Sequence, residues 1–398
     1  MHHPRTMAES THLRSPSALS VQFLPPALLD RLGASGPRYT SYPTADRFVE
    51  AHGPAQHQAA LMQRDQGPGK AAPLSVYVHV PFCESLCYYC ACNKIVTKHH
   101  ERGAEYLKLL DAEIELWARH LGGRPAVSQV HLGGGTPTFL SDEELSWLTA
   151  RLRQSFDWLP GIEASVEIDP RTVTRARLAH LQQLGFNRIS YGVQDFDPRV
   201  QQAVHRVQPF EQVEQLMKDA RELGFASVNL DLICGLPLQT KTSFNATLQQ
   251  VLQLRPDRIA LYAYAHLPQR FKAQRRIHSA DIPTADVRLH LHADAIATFM
   301  AGGYEHIGMD HFALPGDALA QAKRQGRLHR NFQGYAVQPD GDLIGLGVSA
   351  ISRVGATYAQ NAKTIEEYTD ALSQGQWPVQ RGIALTRDDL LRRAVIMA

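Results

Sequence analysis

Four of the chain's five cysteines lie within the segment Cys83–Cys92, with the spacing C-x3-C-x2-C-x-C. The apolar, alternating segment Leu74–Val80 comes just before them and is typical of a buried strand. We therefore expect the cysteines on a loop at the exit of a strand. Three thiolates at this spacing can bind three corners of a cubane iron–sulfur cluster, which leaves the fourth iron open for a small ligand.

Two other uses of clustered cysteines agree less well with the sequence. A structural zinc site usually takes two separated pairs of ligands, and the sequence has no second C-x2-C or H-x3-H group. A disulfide is disfavoured because no secretory signal precedes the cysteines and cysteine is scarce. Reduced cysteines without an export signal predict a cytoplasmic protein. The fifth cysteine, Cys234, ends an apolar segment and is expected to pack rather than react.

Composition sets wider bounds on the protein class. The 398 residues are 44% hydrophobic and 20% charged, as in a globular enzyme with one large domain or two ordinary ones. A net charge of +2 argues against nucleic acid as the main partner. The sequence has no apolar run of the length needed to cross a membrane.

The N-terminal region lacks a regular pattern. Residues 1–22 are polar and aperiodic, so we expect them to be disordered. Residues 23–72 follow as an N-terminal arm, in which the two prolines of Gly36–Thr44 exclude a regular helix. The arm either lies extended on another surface or uses its aromatic and Arg side chains to contact a bulky anionic ligand. The sequence favours neither.

From Leu74 onward, short apolar segments alternate with amphipathic helical patterns. The predicted strands are 74–80, 127–132, 162–168, 187–193, 228–233 and 258–264. Leu184-Gly185-Phe186 and Leu223-Gly224-Phe225 each indicate a helix end followed by a strand start. Six β/α units imply a parallel sheet with helices outside, and either a doubly wound sheet or a barrel fits this pattern.

The polar residues favour a partial (β/α)6 TIM-like barrel. Parallel strands buried on both faces should be apolar, so polar residues at their carboxyl ends stand out. Besides the cysteines, these residues are Gly133–Gly135, Glu167, Gln194, Asp231 and His266. A barrel brings all strand ends to one rim, where such folds place their chemistry. Alternatively, Glu167 and Asp231 could cap loops or pair with Arg.

The glycine run Gly133–Gly135 follows the second predicted strand. It is neither G-x-G-x-x-G nor a P-loop with Lys, so a phosphate-binding role is disfavoured. We expect instead a close approach of the backbone to a ligand without phosphate, such as an amino-acid head group bound to the open iron.

Together these features resemble the radical S-adenosylmethionine (SAM) superfamily. Further features are similar to one family within it, the oxygen-independent coproporphyrinogen III oxidases. They are the fourth cysteine, Cys92, and the segments Gly36–Thr44, Gly308–Phe312 and Asn331–Tyr335. The resemblance covers residues 25–398.

The resemblance implies a role for each matching residue. Cys83, Cys87 and Cys90 match the ligands of a [4Fe-4S] cluster, whereas Cys92 matches a fourth cysteine that does not bind it. Contacts to a first SAM molecule are matched by Tyr77, Gly134, Glu167 and Ile351. Contacts to a second SAM molecule are matched by Tyr89 (where Phe is common), Gly135, Thr136, Gln194, Arg206, Asp231 and Ala265. His79 and Gln333 match further positions near the active site, and complete an implied catalytic set with Tyr77, Cys92 and Glu167.

The implied reaction is a radical decarboxylation. The reduced cluster cleaves SAM to a 5′-deoxyadenosyl radical, which removes hydrogen from a propionate side chain of coproporphyrinogen III. Loss of carbon dioxide and one electron leaves a vinyl group, and two such conversions give protoporphyrinogen IX in haem biosynthesis. The implied partners are the porphyrinogen and an electron donor such as a flavodoxin-type reductant. The resemblance also implies that the protein is a monomer. Arg38 and Arg330 are candidates for the substrate carboxylates, although each could instead form a surface ion pair.

The resemblance also divides the chain. Residues 73–375 are expected to form the radical SAM domain. Thr386 with Asp388 and Asp389 predicts a helix start, so residues 376–398 are expected to begin a helical C-terminal domain that is truncated here. Because this domain covers the active site in the family, we expect exposed apolar surface at the barrel mouth.

A haem-binding chaperone of the same superfamily is the alternative from another functional class. Its relatives lack the fourth cysteine and the Tyr39–Pro43 motif. Both are present here, so the sequence favours the enzyme.

Overall fold

The computed structural model describes residues 42–67, 70, 72–331, 334–338 and 341–397. The strands in this part of the chain are β1 Leu74–Val80, β2 Phe82–Cys83, β3 Ile95–Val96, β4 Ala126–Gly134, β5 Asp157–Ile168, β6 Arg188–Gln194, β7 Ser227–Cys234, β8 Arg258–Ala263, β9 Glu305–Gly308, β10 His311–Ala313, β11 His329–Asn331, β12 Gly334–Ala336, β13 Leu343–Leu346, β14 Ile351–Val354, β15 Thr357–Asn361 and β16 Val379–Ala384. The α-helices are α1 Pro54–Gln66, α2 Glu101–His120, α3 Asp142–Ser155, α4 Arg175–Gln183, α5 Pro198–Ala203, α6 Phe210–Glu222, α7 Lys241–Leu254, α8 Ala285–Ala301, α9 Ala318–Arg324, α10 Ile365–Ser373 and α11 Arg387–Met397.

The central sheet decides between the two predicted architectures. Within the described residues it has twelve strands in the order β16-β15-β14-β13-β1-β4-β5-β6-β7-β8-β10-β9. The six strands from β1 to β8 in this order are parallel and follow one another along the chain without reversal. A doubly wound sheet reverses its strand order at a switch point, whereas a barrel does not. The prediction of a partial, TIM-like barrel is therefore confirmed.

The register of the sheet separates an apolar outer face from a polar inner face. Val78, Leu132 and Val166 are neighbours across β1, β4 and β5, and all three are fully buried. One position away, His131 and Ser165 are neighbours on the opposite face. That inner face lines a cavity of about 100 Å³ with Gln129, His131, Glu163, Ser165, Glu167, Arg188, Ser190, Asn229, Asp231 and Arg258. The expectation that these strands are apolar except at their ends was wrong, because the inner face is polar along its length.

The sheet extends beyond the six predicted units at both edges. β13 pairs in parallel with β1, and β14, β15 and β16 follow as antiparallel strands. At the other edge, β10 and β9 pair antiparallel beyond β8. Because β16 follows residue 376, the sheet continues past the predicted boundary of the catalytic domain. α11 then begins at the predicted place, with the Thr386 hydroxyl accepting a hydrogen bond from the backbone N–H of Asp389 at 3.1 Å.

Helix boundaries follow local sequence signals. α2 buries Tyr106, Leu110, Ile114 and Trp117, which lie at the spacing of one helix face. Ser141 and Glu144 form the predicted capping box of α3. Gly185 and Gly224 adopt φ values of 94° and 83°, the left-handed conformation that ends a helix before a strand.

The described end of the arm lies against the last strand and helix. Val49 forms an antiparallel bridge to Gly382 in β16. The side chains of Tyr42 and Arg47 both donate hydrogen bonds to Asp389, at 3.1 and 2.8 Å. This part of the arm therefore packs on another surface of the protein, while residues 36–41 lie outside the described part of the chain. Among the described residues, no helix combines the length and apolarity that a membrane span requires.

Candidate active site

The cysteine loop and the carboxyl ends of the parallel strands surround one cavity of about 480 Å³, within the usual range of ligand pockets, roughly 300–1,000 Å³. Twelve sequence-predicted residues line it: Cys83, Cys87, Tyr89, Cys90, Cys92, Gly134, Gly135, Thr136, Glu167, Gln194, Arg206 and Asp231. All five cysteines of the chain are free thiols. Most of the residues predicted from the strand ends and the cysteine loop therefore lie together at one mouth of the barrel.

Some predicted residues lie away from the lining of this cavity. Tyr77 and His79 lie on β1 and Ile351 begins β14, and none of the three is part of the lining. The carbonyl oxygen of Ala265 accepts a hydrogen bond from Gln274 at 3.2 Å. His266 also lies outside the lining and contacts the Tyr264 hydroxyl at 2.9 Å through Nδ1. Gln333 and Arg38 fall outside the described residues.

Cys87 lies beside two guanidinium groups. Arg206 Nη1 donates to Cys87 Sγ at 3.4 Å, and Arg171 Nη2 approaches the same sulfur at 3.7 Å. Asp169 binds both arginines, at 3.0 Å to Arg206 and 2.6 Å to Arg171. The Cys87 sulfur therefore lies against two N–H donors and their positive charge.

The other cysteines have contrasting surroundings. The hydrogen bond from the Cys92 side chain outweighs burial and, with the charge of Lys94, lowers the pKa of Cys90 to about 6. Burial raises the pKa of Cys83 to about 11, against a 3.5 Å hydrogen bond from the Thr136 hydroxyl. Cys92 is thus a neighbour that acts on a predicted ligand through a hydrogen bond.

Glu167 is held as an ionised group at the end of β5. Its carboxylate accepts a hydrogen bond from the backbone N–H of Gly134 and contacts His131 Nε2, both at 3.1 Å. Burial alone would raise the pKa of Glu167, but the hydrogen bond and charge of His131 and the Gly134 N–H more than offset it, so the pKa lies below its usual value.

Tyr77 and His79 support this side of the site. His79 Nε2 donates to the carbonyl of Asn93 at 2.9 Å, because a carbonyl can only accept. Its Nδ1 therefore accepts from the Tyr77 hydroxyl at 3.0 Å, and burial lowers the pKa of His79, which keeps the ring neutral. The Tyr77 ring stacks on the ring of His131, with centroids 5.8 Å apart. This packing fixes the position of His131 beside Glu167.

Asp231 faces the same cavity with a different charge preference. Burial, followed by the negative charge of Glu167, raises its pKa to about 6. Ser190 and Asn229 donate hydrogen bonds to its two oxygens at 2.9 and 2.8 Å. The site therefore combines a carboxylate that stays ionised with one that can take up a proton near neutral pH.

The glycine run allows protein groups to crowd together. A Cβ atom on Gly134, whose φ is 112°, would lie 2.6 Å from the His79 ring. A Cβ on Gly133 would meet Glu167 Oε1 at 2.8 Å, and one on Gly135 would meet the backbone of Phe82 at 2.7 Å. The predicted approach to a ligand stays a prediction; the structure adds that β1, β4 and Glu167 could not pack this closely around larger residues.

Sequence reasoning missed four residues that contact the site. Asp169 and Arg171 follow the end of β5. Arg171 contacts the Cys87 sulfur and Asp169 pairs with Arg171, so the search for polar residues at strand ends could have included both. His131 lies within β4, so it carried no such signal. Lys94 donates to the carbonyl of Cys90 at 3.1 Å from beyond the cysteine run.

Three of the thiols around the cavity match the donor set that an iron–sulfur cluster needs. In the part of the chain that the structure describes, no three His, Cys, Asp or Glu side chains gather around one point. Cys83, Cys87 and Cys90 nevertheless line the same cavity as free thiols. Cysteine thiolates are the usual ligands of a cubane cluster, so these residues fit the cofactor that the sequence predicts.

Comparisons with known proteins agree with this geometry. The family model described as the radical SAM superfamily matches residues 77–251. The chain is 49% identical over 371 residues to the oxygen-independent coproporphyrinogen III oxidase of Pseudomonas aeruginosa, and 50% identical over 370 residues to the protein of that name from Escherichia coli. Each alignment covers 93% of this chain and 80% of the relative.

A solved structure shows the same relationship in three dimensions. Coproporphyrinogen III oxidase from Escherichia coli, described as a radical SAM enzyme, matches with a TM-score of 0.86 and 49% identity. The match covers 90% of this chain and 81% of that one. With this identity over nine-tenths of its length, the chain belongs to the family of oxygen-independent coproporphyrinogen III oxidases within the radical SAM superfamily.

Proposed function

We propose that the chain converts two propionate side chains of coproporphyrinogen III to vinyl groups without oxygen, giving protoporphyrinogen IX for haem biosynthesis. The observation that carries this proposal is the meeting of the three predicted cluster ligands with Glu167 and Asp231 around one cavity. It occurs in a chain that is about half identical to relatives named for this reaction.

Cys83, Cys87 and Cys90 would hold a [4Fe-4S] cluster, and the rim of the cavity would bind SAM. When bound, these groups supply the radical that takes a hydrogen atom from the propionate. The protein's part is to bind, orient and exclude water. Two features support these ligands: the positive charge of the arginines beside Cys87, and the lowered pKa of Cys90, which favours its thiolate.

Glu167 is suited to bind the charged part of the first SAM molecule. Its ionised carboxylate is oriented by His131 and Gly134, and Tyr77 and Ile351 complete the proposed contacts. Around the second SAM molecule we propose Tyr89, Gly135, Thr136, Gln194, Arg206, Asp231 and Ala265, of which all but Ala265 line the cavity. The further roles of His79 and Gln333 are proposed from the family resemblance.

The substrate carries carboxylates, which need cationic partners. Arg330 stacks on the Tyr335 ring at 4.5 Å from its centroid. Burial raises the pKa of Tyr262, which lines the cavity, and the positive charge of Arg330 opposes that rise. We therefore keep Arg330 as a proposed substrate contact, together with Arg38. A one-electron donor, a cytoplasmic location and a monomeric state complete the proposal; the free thiols are consistent with that location.

Anaerobic reconstitution tests the proposed function. The protein is loaded with iron and sulfide, supplied with SAM and dithionite, and assayed for protoporphyrinogen IX from coproporphyrinogen III. We expect vinyl product from the loaded protein and none from Cys83→Ala, which should also fail to retain iron. Haem binding without vinyl formation would instead support the chaperone and refute the oxidase.

A further inference from the structure

A basic surface segment covers the outer side of the cysteine loop. The segment, residues 267–281, lies between β8 and α8 and holds four exposed cations, Arg270, Lys272, Arg275 and Arg276, against one carboxylate, Asp281. Within the described residues, none of these four cations forms an ion pair. This local excess of positive charge is larger than the net charge of the whole chain, +2.

The segment is fixed directly to the loop that carries the predicted cluster ligands. Gln274, which is 1% exposed, donates a hydrogen bond to the carbonyl of Tyr89 at 3.0 Å. The guanidinium of Arg276 lies 5.3 Å from the centroid of the Tyr88 ring and contacts its hydroxyl at 3.4 Å. Tyr88 and Tyr89 stand between Cys87 and Cys90, so these contacts tie the cations to the middle of the loop.

Most of this surface lies outside the lining of the cavity. Tyr89 lines the cavity, but neither Tyr88 nor any of the four cations does. On its other side, the Tyr88 ring stacks on His205 with centroids 5.1 Å apart, and Val207 next to it is 56% exposed. The outer side of the loop is thus an aromatic and apolar patch with a basic margin.

We propose that this surface docks an acidic one-electron carrier protein, which passes an electron to the cluster through the outer side of the cysteine loop. The inference rests on the proposed function, since that reaction needs an electron while SAM and substrate occupy the cavity. One electron leaves the carrier's flavin hydroquinone, which becomes a semiquinone, and enters the oxidised cluster, which becomes singly reduced.

The chemistry of the surface favours a protein over the substrate as its partner. A small polycarboxylate is best held in a concave site, whereas these cations lie on a solvent-facing segment outside the cavity. Electron-transfer complexes are small and transient, and they use complementary charge around a modest apolar patch to speed association. Such binding weakens with salt, because exposed charges are screened over roughly 10 Å at 0.1 M.

The test uses charge reversal in the loaded enzyme. The variant Lys272→Glu/Arg275→Glu spares Arg276 and Gln274, which contact the loop. The matched control, Lys108→Glu/Lys218→Glu, makes the same change of net charge on exposed positions of α2 and α6. A purified flavodoxin is the probe, with equilibrium binding measured at low and physiological ionic strength. Cluster reduction is followed by absorbance, driven either by reduced flavodoxin or by dithionite.

We expect the segment variant to bind flavodoxin about tenfold more weakly at low salt and to be reduced by it more slowly in proportion. Its reduction by dithionite should be unchanged, and the control should change less than about twofold. Equal losses in both variants, or no loss in the segment variant, would overturn the proposal, as would a raised KM for coproporphyrinogen III with unchanged flavodoxin binding. Binding and cluster reduction do not depend on product, so absence of vinyl product with dithionite would refute only the proposed function.

Discussion

The buried carboxyl group of Glu113 offers a test of how the site is supported. Glu113 lies on α2 and is 1% exposed. Its oxygens accept hydrogen bonds from the Tyr368 hydroxyl at 2.5 Å, and from Asn361 Nδ2 and the Gly347 backbone N–H at 2.7 Å each. The group therefore ties α2 and α10 to the turn that precedes Ile351, a proposed SAM contact.

Burial raises the pKa of Glu113 from 4.5 to about 7, against its three hydrogen bonds. Because this pKa is raised in the folded state, the folded protein binds the proton of Glu113 more tightly than the unfolded chain does. Protonated Glu113 therefore adds to the free energy of unfolding. This contribution is fully present below pH 4.5 and is lost as the pH rises to about 7. A difference of about 2.5 pKa units corresponds to roughly 3 kcal/mol.

Glu113→Gln removes this titration while keeping the size of the side chain. The amide can still accept one hydrogen bond, but its NH2 group cannot accept from Tyr368 or Gly347, so the variant should be less stable than the wild type at pH 5. Since the amide does not ionise, the difference in the free energy of unfolding should shrink by about 2.5 kcal/mol between pH 5 and pH 8.

Urea unfolding of both proteins at these two pH values, followed by circular dichroism, measures that difference. All other titrating groups are common to both proteins and cancel in the comparison. A difference that is the same at both pH values, or that grows as the pH rises, would refute the assignment of the raised pKa to Glu113.

Three further changes test single contacts in the site. Cys92→Ser should leave the iron content unchanged while vinyl formation falls by about tenfold or more, because the hydrogen bond to Cys90 is altered; loss of the cluster would make Cys92 a ligand. Glu167→Gln should weaken SAM binding by about tenfold in a direct titration, since a charged acceptor is removed, and unchanged affinity would exclude Glu167 from the binding site. Gly134→Ala should lower the free energy of unfolding by about 1–3 kcal/mol, since its φ of 112° is strained for alanine and the added Cβ would clash with His79; a wild-type urea midpoint would contradict the crowding seen there.

The sequence was most informative where local patterns repeat. Each of the six predicted strands lies at an observed parallel strand, because alternation and helix-end glycines are local signals. The strands β13–β16 were missed because they are short and depend on pairing with distant partners, such as β13 with β1. Family resemblance, rather than periodicity, was needed to separate Cys92 from the three ligands.

The lining of the cavity was predictable where a polar residue lies at the carboxyl end of a strand. Glu167 and Asp231 were predicted in this way, and both line the cavity. Arg171 reaches Cys87 across 84 positions of sequence, and His131 reaches Glu167 between two strands, so neither contact has a local signature. Tertiary packing alone brings these side chains together.

The polar inner face of the barrel has a consequence for how this protein can change. The strands gain their apolar packing on the outer face, so residues on the inner face need not be apolar. These inner-face side chains depend instead on hydrogen bonds and ion pairs with one another. Glu163 pairs with Arg188, and Arg258 pairs with Asp317 at 2.7 Å, both in buried surroundings. Losing one partner of such a pair costs about 3–5 kcal/mol, whereas replacing both together can be neutral. Substitutions at these inner-face positions should therefore be accepted as coupled pairs, in which a change of one residue depends on a change of its ion-pair partner.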